Sequence, residues 1–235
     1  MTIGAPRIHH RIADSTNERA KELAAAGAPG GTLVTATEQT AGRGRQGRAW
    51  VAPAGRALLM SLVVRDLGEE MLMLPLAAAV AVCDACEAAA PVTCAIKWPN
   101  DVWIDRRKVA GILIEGRPQD GWAVLGIGLN VGTRADEFPG ELREIATSLF
   151  AAGAGEAVTP DTLLPPLLAA LERRLEDPPA EVLTAWRERD ALRGQTVRWE
   201  GGSGTAAGIT DSGSLLVETD AGRVELGAGE VHLLR

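Results

Sequence analysis

The 235-residue chain has no tyrosine and only two phenylalanines, so six tryptophans carry nearly all of its aromatic surface. Alanine and branched aliphatic side chains must therefore fill the core; apolar residues make up 46%, an ordinary globular share. Cysteine is scarce as well. Cys83, Cys86 and Cys94 are an odd, low set that excludes a disulfide framework and points to a reducing compartment. The N-terminal MTIGAPRIHHRIADSTN holds no apolar core of signal-peptide kind. The longest apolar run, Met71–Cys83, is interrupted by Pro75 and is shorter than the ~20 residues that span a bilayer. These absences predict a soluble, cytoplasmic protein with no membrane partner.

The formal net charge is −7, which disfavours nonspecific binding to nucleic acid or anionic lipid. Charge is nonetheless uneven. Between Gln39 and Arg65 there is no acid but there are five arginines, Arg43, Arg45, Arg48, Arg56 and Arg65, an island suited to an anion.

Patterning predicts an α+β fold. Ser15 and Glu18 form a capping-box pattern before a helix over Arg19–Ala26, closed by Gly27. Thr32–Thr37 is a short β-type run, Ala57–Val64 a buried strand and Met71–Ala90 an apolar helix. Thr93–Lys97, Val102–Ile104, Val109–Glu115 and Trp122–Asn130 are strands separated by turn signals, so hairpins are expected rather than repeating βαβ units. Helices follow over Pro160–Glu176 and Ala180–Arg189. Five short strands then close the chain, Gln195–Trp199, Thr205–Ile209, Leu215–Glu218, Arg223–Leu226 and Val231–Leu234, in the manner of a small SH3-like β-barrel. The expected domains are 1–189 and 190–235.

Three segments carry chemistry. In GRGRQGR, residues 42–48, glycines permit close approach and positive φ, and arginine forks suit carboxylate and phosphate. Composition alone divides evenly between a small-anion site and a nucleic-acid arm or solvated loop. Placement between strands, and no stacking aromatic apart from Trp50, favour the anion site. No Gly-Lys-Ser/Thr follows, so this is not a P-loop. In KWPNDVWIDRRKVAGILIE, residues 97–115, Asn100 and Asp101 either cap a turn or face a pocket with Lys97, and Lys108 is either a point charge for an anion or part of a solvated basic face. In GIGLN, residues 126–130, strand glycines mark close approach, and Asn130 is either a site hydrogen bonder or a turn residue.

Taken in order, STN (15–17), EQTAGRGRQGRAW (38–50), KWPNDVW (97–103), KVAGILIE (108–115) and GIGLNV (126–131) resemble the biotin–protein ligases over roughly residues 8–190. The resemblance implies a mixed central sheet with flanking helices, like that of the class II aminoacyl-tRNA synthetases, followed by an SH3-like barrel. It implies ATP-dependent activation of biotin to biotinyl-5′-AMP and transfer of biotin to a lysine of the biotin carboxyl carrier protein of an acetyl-CoA or acyl-CoA carboxylase. It implies that Ser15, Thr16, Asn17 and Gln39 line the biotin pocket, and that Arg43, Gly44 and Arg45 close over biotin and adenylate. Lys108 would contact the biotin carboxylate and acyl phosphate. Arg48 and Trp50 would lie near the nucleotide, with the indole against adenine, and Lys97, Asn100 and Asn130 on the nucleotide and phosphate side. Arg45, Lys108 and Arg43 would be the catalytic cations, and Asn100 with Asp101 would shape the site. Mg²⁺ is expected with ATP, on ligands the motifs do not name.

The chain starts shortly before Ser15, with no segment for a winged helix-turn-helix, so no repressor activity and no DNA partner are expected. The C-terminal stretch from Asp190 carries seven acids against four arginines, which argues the same way. Cys83-x-x-Cys86 lacks partners at zinc spacing, and His9, His10 and His232 read as surface or packing residues. Rival readings are a lipoate–protein ligase, a nucleic-acid module built on the arginine loop, and an interaction module built on the barrel. The resemblance also implies that an edge strand of the central sheet pairs with a carrier or with another copy, so a homodimer is among the expectations.

Overall fold

The computed structural model describes residues 3–65, 73–227 and 229–234. Seven strands form one sheet in the order β1-β2-β3-β7-β6-β5-β4. They are β1 (Arg7–Ala13), β2 (Leu33–Gln39), β3 (Ala57–Arg65), β4 (Ala95–Lys97), β5 (Asp101–Ile104), β6 (Arg107–Arg117) and β7 (Trp122–Asn130). β1 and β2 run parallel around α1 (Thr16–Ala25), and all other neighbours are antiparallel. β4 to β7 are the expected hairpins, and the sheet is mixed as anticipated.

Strand alternation sorts the sheet into two faces. Leu58, Met60 and Leu62 of β3, with Leu125, Ile127 and Leu129 of β7, pack into the main core. That core also takes the buried faces of α2 (Leu74–Ala89), α3 (Pro160–Glu176) and α4 (Pro179–Arg187). The opposite face carries Ser61 and Val63 of β3 and Val124, Gly126 and Gly128 of β7. α1 covers only part of it, through a small cluster of Ala20, Ala24, Val34, Val63, Trp122 and Val124. The uncovered remainder, over the glycines, is where a ligand can lie.

Five further strands, β8 (Thr196–Trp199), β9 (Gly202–Ile209), β10 (Leu215–Thr219), β11 (Gly222–Leu226) and β12 (His232–Leu233), make an antiparallel sheet in the order β11-β10-β9-β8-β12. All five expected strands are present, in SH3-like number and length. Val197, Leu215, Val217 and Val231 join the main core, and the Trp98 indole N–H donates to Gly213 O at 3.0 Å, so the small sheet packs directly on the large one.

Some expectations need correction. β1 has no counterpart among the expected strands. Ser15 does precede α1, but its side chain makes no capping hydrogen bond, and Glu18 is drawn instead to Lys21 and Arg43. The apolar helix starts at Leu74; Met71 and Leu72 lie outside the described residues. Among the described residues no helix is long and apolar enough to cross a membrane.

At the junction of the two sheets, residues 189–191 run beside β4, with Ile96 N donating to Arg189 O (2.6 Å) and Ala191 N to Ile96 O (3.0 Å). Asp190 Oδ2 is buried there without a partner among the described residues, while Oδ1 accepts from Leu192 N at 2.9 Å. Burial pushes the Asp190 carboxyl up, opposed by backbone N–H groups of Leu192 and Arg193. The folded chain thus holds this proton more tightly than the unfolded chain, and stability falls as pH rises from the ordinary carboxylate range through the raised value. Asp190→Asn should therefore melt higher than the parent at pH 7, and the gap should close as pH is lowered towards ~4. Thermal melts showing an equal gap at both pH values would contradict this account.

A cationic cavity as candidate active site

The uncovered face of the sheet opens into a cavity of about 660 Å³. Its floor is built by absence of side chains. Gly111 on β6 pairs with Gly128 on β7, and both lie under the Trp50 indole: a Cβ on Gly128 would sit 2.5 Å from Trp50 Cε2, and one on Gly111 3.1 Å from Cζ3. Only glycine lets the ring lie against the strands.

One end is polar and tightly bonded. Gln39 Oε1 accepts from Thr16 N (2.7 Å) and Thr16 Oγ1 (3.0 Å). Ser61 Oγ reaches Thr16 Oγ1 (2.8 Å) and Asn17 Oδ1 (2.6 Å), and Asn17 Nδ2 donates to Glu115 Oε2 (2.9 Å). Ser15, Thr16, Asn17 and Ser61 are buried. Each of these hydrogen bonds fixes a buried polar atom that would otherwise be costly. Gly126 leaves room for the Asn17 amide, whose Cγ would lie 2.8 Å from any Cβ placed there.

The other end is cationic. Arg43, Arg45, Arg48, Lys97, Arg106 and Lys108 line the cavity against the carboxylates Asp101, Glu144 and Glu230, an excess of three positive charges in a chain of net charge −7. Lys108 Nζ pairs with Asp101 Oδ1 at 2.6 Å and stands 5.7 Å from the Trp50 ring centre. Lys97 lies 5.5 Å from the Trp103 ring centre, and burial lowers the pKa of its ammonium. Arg45 Nη1 donates to Asn100 Oδ1, and Nη2 to Gly229 O, both at 3.3 Å; burial lowers its pKa too. Such desolvated cations have unmet demand for anions.

The arginine loop is a folded hairpin. Trp50 N donates to Gly42 O (3.0 Å) and Gly44 N to Arg48 O (2.7 Å), around a single turn at Arg45–Gly47 with Gln46 at φ 55° and Gly47 at φ 73°. Arg43 pairs with Glu18 and Glu115 at the cavity's edge, with Nη2 3.3 Å from Glu115 Oε1. Arg48 Nη1 meets Glu230 Oε1 at 2.7 Å.

Every residue that the motifs assigned to biotin or nucleotide lines this one cavity, whereas Arg56 and Arg65 of the arginine island lie elsewhere, Arg56 against Glu137 and Arg65 on the carbonyls of Ala24 and Ala28. Asn100 is more than a turn cap: its Nδ2 donates across to Ile112 O at 2.8 Å. Asn130 Nδ2 donates to Thr147 O at 3.0 Å, whereas Asn130 Oδ1 and Trp50 Nε1 are buried without a partner among the described residues. Glu230, just before β12, and His232 on β12 were not expected here; His232, read as a surface or packing residue, also lines the wall. No local motif marks them, because only the packing of the two sheets brings them in. Ser61 did leave a trace, as the lone polar residue inside the run ALLMSLVV. Among the described residues no group of three or more His, Cys, Asp or Glu could hold a metal ion.

Mixed sheet, small β domain and half-polar, half-cationic cavity together define a ligand-enclosing α+β enzyme scaffold. The chain belongs to the biotin/lipoate A/B protein ligase family, whose model matches residues 9–132, and a biotin protein ligase C-terminal domain model matches residues 193–234. It is 38% identical to the biotin–[acetyl-CoA-carboxylase] ligase of Paracoccus denitrificans, over 93% of this chain and 96% of that one. The biotin protein ligase of Aquifex aeolicus in complex with biotin and ATP superposes with a TM-score of 0.84 at 30% identity, covering 98% and 99% of the two chains. That of Leishmania major in complex with biotinyl-5-AMP gives 0.68 at 27% identity, covering 95% and 99%.

Proposed function

We propose that the chain is a biotin protein ligase, which joins biotin to ATP as biotinyl-5′-AMP and passes the biotinyl group to a lysine of a biotin carboxyl carrier protein. The observation that carries this reading is the convergence of the polar end, the glycine floor and the cationic end in one cavity. Relatives that bind biotin, ATP and biotinyl-5-AMP share the fold over nearly the whole chain.

A urea head group that both donates and accepts hydrogen bonds suits the end formed by Ser15, Thr16, Asn17 and Gln39. A dithiolane ring could not satisfy those groups, which favours biotin over lipoate. The valeryl carboxylate then points to the cations. Carboxylate and triphosphate repel; Arg45, Lys108 and Arg43 offset that repulsion, Arg43 least because Glu18 and Glu115 already meet it. The carboxylate oxygen attacks the α-phosphorus and pyrophosphate leaves, with fixed cations stabilising the charge. Gly44 and the loop around it exclude water from the mixed anhydride. The carrier amine then attacks the acyl carbon and AMP leaves, with no covalent enzyme intermediate. Arg48, Trp50, Lys97, Asn100 and Asn130 are assigned to the nucleotide, for which Trp50 Nε1 and Asn130 Oδ1 offer a free donor and acceptor.

Mg²⁺ enters with ATP. It needs few protein ligands when phosphates supply the rest, and Asp101 is the cavity carboxylate beside the proposed phosphate lysine. Residues 1–189 and 190–235 are assigned as the two domains, in a cytoplasmic setting. The exposed edge strand β1 is assigned as the docking strand for a carrier or a second copy.

Calorimetry with biotin, with lipoate, and with biotin plus ATP and Mg²⁺ tests the reading. The parent should bind biotin and not lipoate, and Arg45→Ala should release the adenylate about tenfold faster, the loss of charge-assisted hydrogen bonds. Absence of biotin binding would overturn the proposal.

A further inference from the structure

Glu115 closes the apolar run of β6 and has no role in the chemistry above. Its Oε2 accepts from Asn17 Nδ2 at 2.9 Å. Its Oε1 lies 3.3 Å from Arg43 Nη2 and 3.5 Å from Lys21 Nζ. One largely buried carboxylate thus touches both the start of α1 and the arginine loop. The Asn17 amide is consequently fixed at both ends, since its Oδ1 accepts from Ser61 Oγ; a flipped amide would set oxygen against the Glu115 carboxylate. The loop needs such an anchor. Arg43, Arg45 and Arg48 repel one another along a glycine-rich hairpin that resists ordering. Glu18 assists, sharing Lys21 and Arg43.

We infer that Glu115 is a positioning residue with two separable contacts: one carboxylate oxygen aims the Asn17 amide at the polar end, and the other docks the arginine loop through Arg43. The head-group half rests on the biotin reading; the loop half does not. Two variants separate them. Glu115→Gln is isosteric and keeps an oxygen for Asn17 Nδ2, but removes the charge that meets Arg43 and Lys21. Glu115→Ala removes both.

Hydrogen–deuterium exchange of residues 42–50 without any ligand reads the loop, where the amides of Gly44 and Trp50 are hydrogen-bonded. Steady-state kinetics with biotin and MgATP read the site. In both variants the loop should exchange about tenfold faster, the scale of one charge-assisted bond, with α2 protection unchanged. The biotin KM should stay within about twofold in Glu115→Gln and rise about tenfold in Glu115→Ala. Unchanged loop exchange, or an equal rise of biotin KM in both variants, would overturn the inference. If the parent itself bound no biotin, the functional reading would fall, while loop exchange in Glu115→Gln would still decide whether Glu115 docks the loop.

Discussion

Lys108→Ala should lower the rate of adenylate formation by about 10²–10³, the usual effect of deleting one positioned charge-stabilising donor. The backbone of Lys108 is clamped: its N donates to Ile145 O and its O accepts from Thr147 N, both at 2.8 Å. Among the described residues Nζ then has one hydrogen-bonding partner, Asp101 Oδ1 at 2.6 Å, which leaves two of its three protons for a ligand. The charge is needed most when carboxylate and phosphate oxygens are forced together, so ground-state biotin affinity, measured without ATP, should change only a few-fold. Lys108→Arg should not restore the rate, because a planar fork cannot reproduce a compact ammonium beside Asp101 and the Trp50 ring. Deleting the lysine also leaves Asp101 unpaired. Lys108→Ala/Asp101→Asn should therefore regain stability while remaining slow. Single-turnover formation within about threefold of the parent would remove Lys108 from the reaction.

What could be read from the chain depended on how local the cause was. Pro160–Glu176, with prolines near its start, has the bounds expected from the sequence, and Thr159 Oγ1 caps it by accepting from Thr162 N at 3.2 Å. RIHHRIA carries no strand signal because an edge strand exposes alternate residues and so can carry arginine and histidine where a central strand carries valine; its identity as β1 comes from its pairing with β2. Ser15 and Glu18 had the spacing of a capping box, but Lys21 and Arg43 offer Glu18 a stronger partner than a backbone N–H. The motifs named cavity-lining residues well because glycine and arginine in strands and hairpins have few other physical justifications. Glu115 and Glu230 escaped because their partners lie 98 and 182 residues away in sequence. Long-range pairing of that kind is a property of the assembled sheet, not of any segment.

Gly126→Ala should weaken biotin binding by about a hundredfold and destabilise the fold by about 1–3 kcal/mol, within the usual range for overpacking a filled site. The backbone itself is not the obstacle, because Gly126 is paired opposite both Ser61 and Leu113 in ordinary extended geometry. Space is the obstacle. A methyl group would overlap the Asn17 amide, with Cγ at 2.8 Å and Nδ2 at 3.0 Å. Asn17 cannot yield without giving up the bonds from Ser61 Oγ and to Glu115 Oε2, one of them to a carboxylate. Gly155→Ala is the control: a Cβ there meets nothing within 4 Å, so its stability should match the parent to about 0.5 kcal/mol. Adding Asn17→Ala to Gly126→Ala relieves the overlap. Most of the stability should return, and biotin affinity should not, because the amide that completes the polar end is gone. Stability and affinity that recover together would mean that Asn17 serves only packing and that the head group is recognised by Ser15, Thr16 and Gln39 without it.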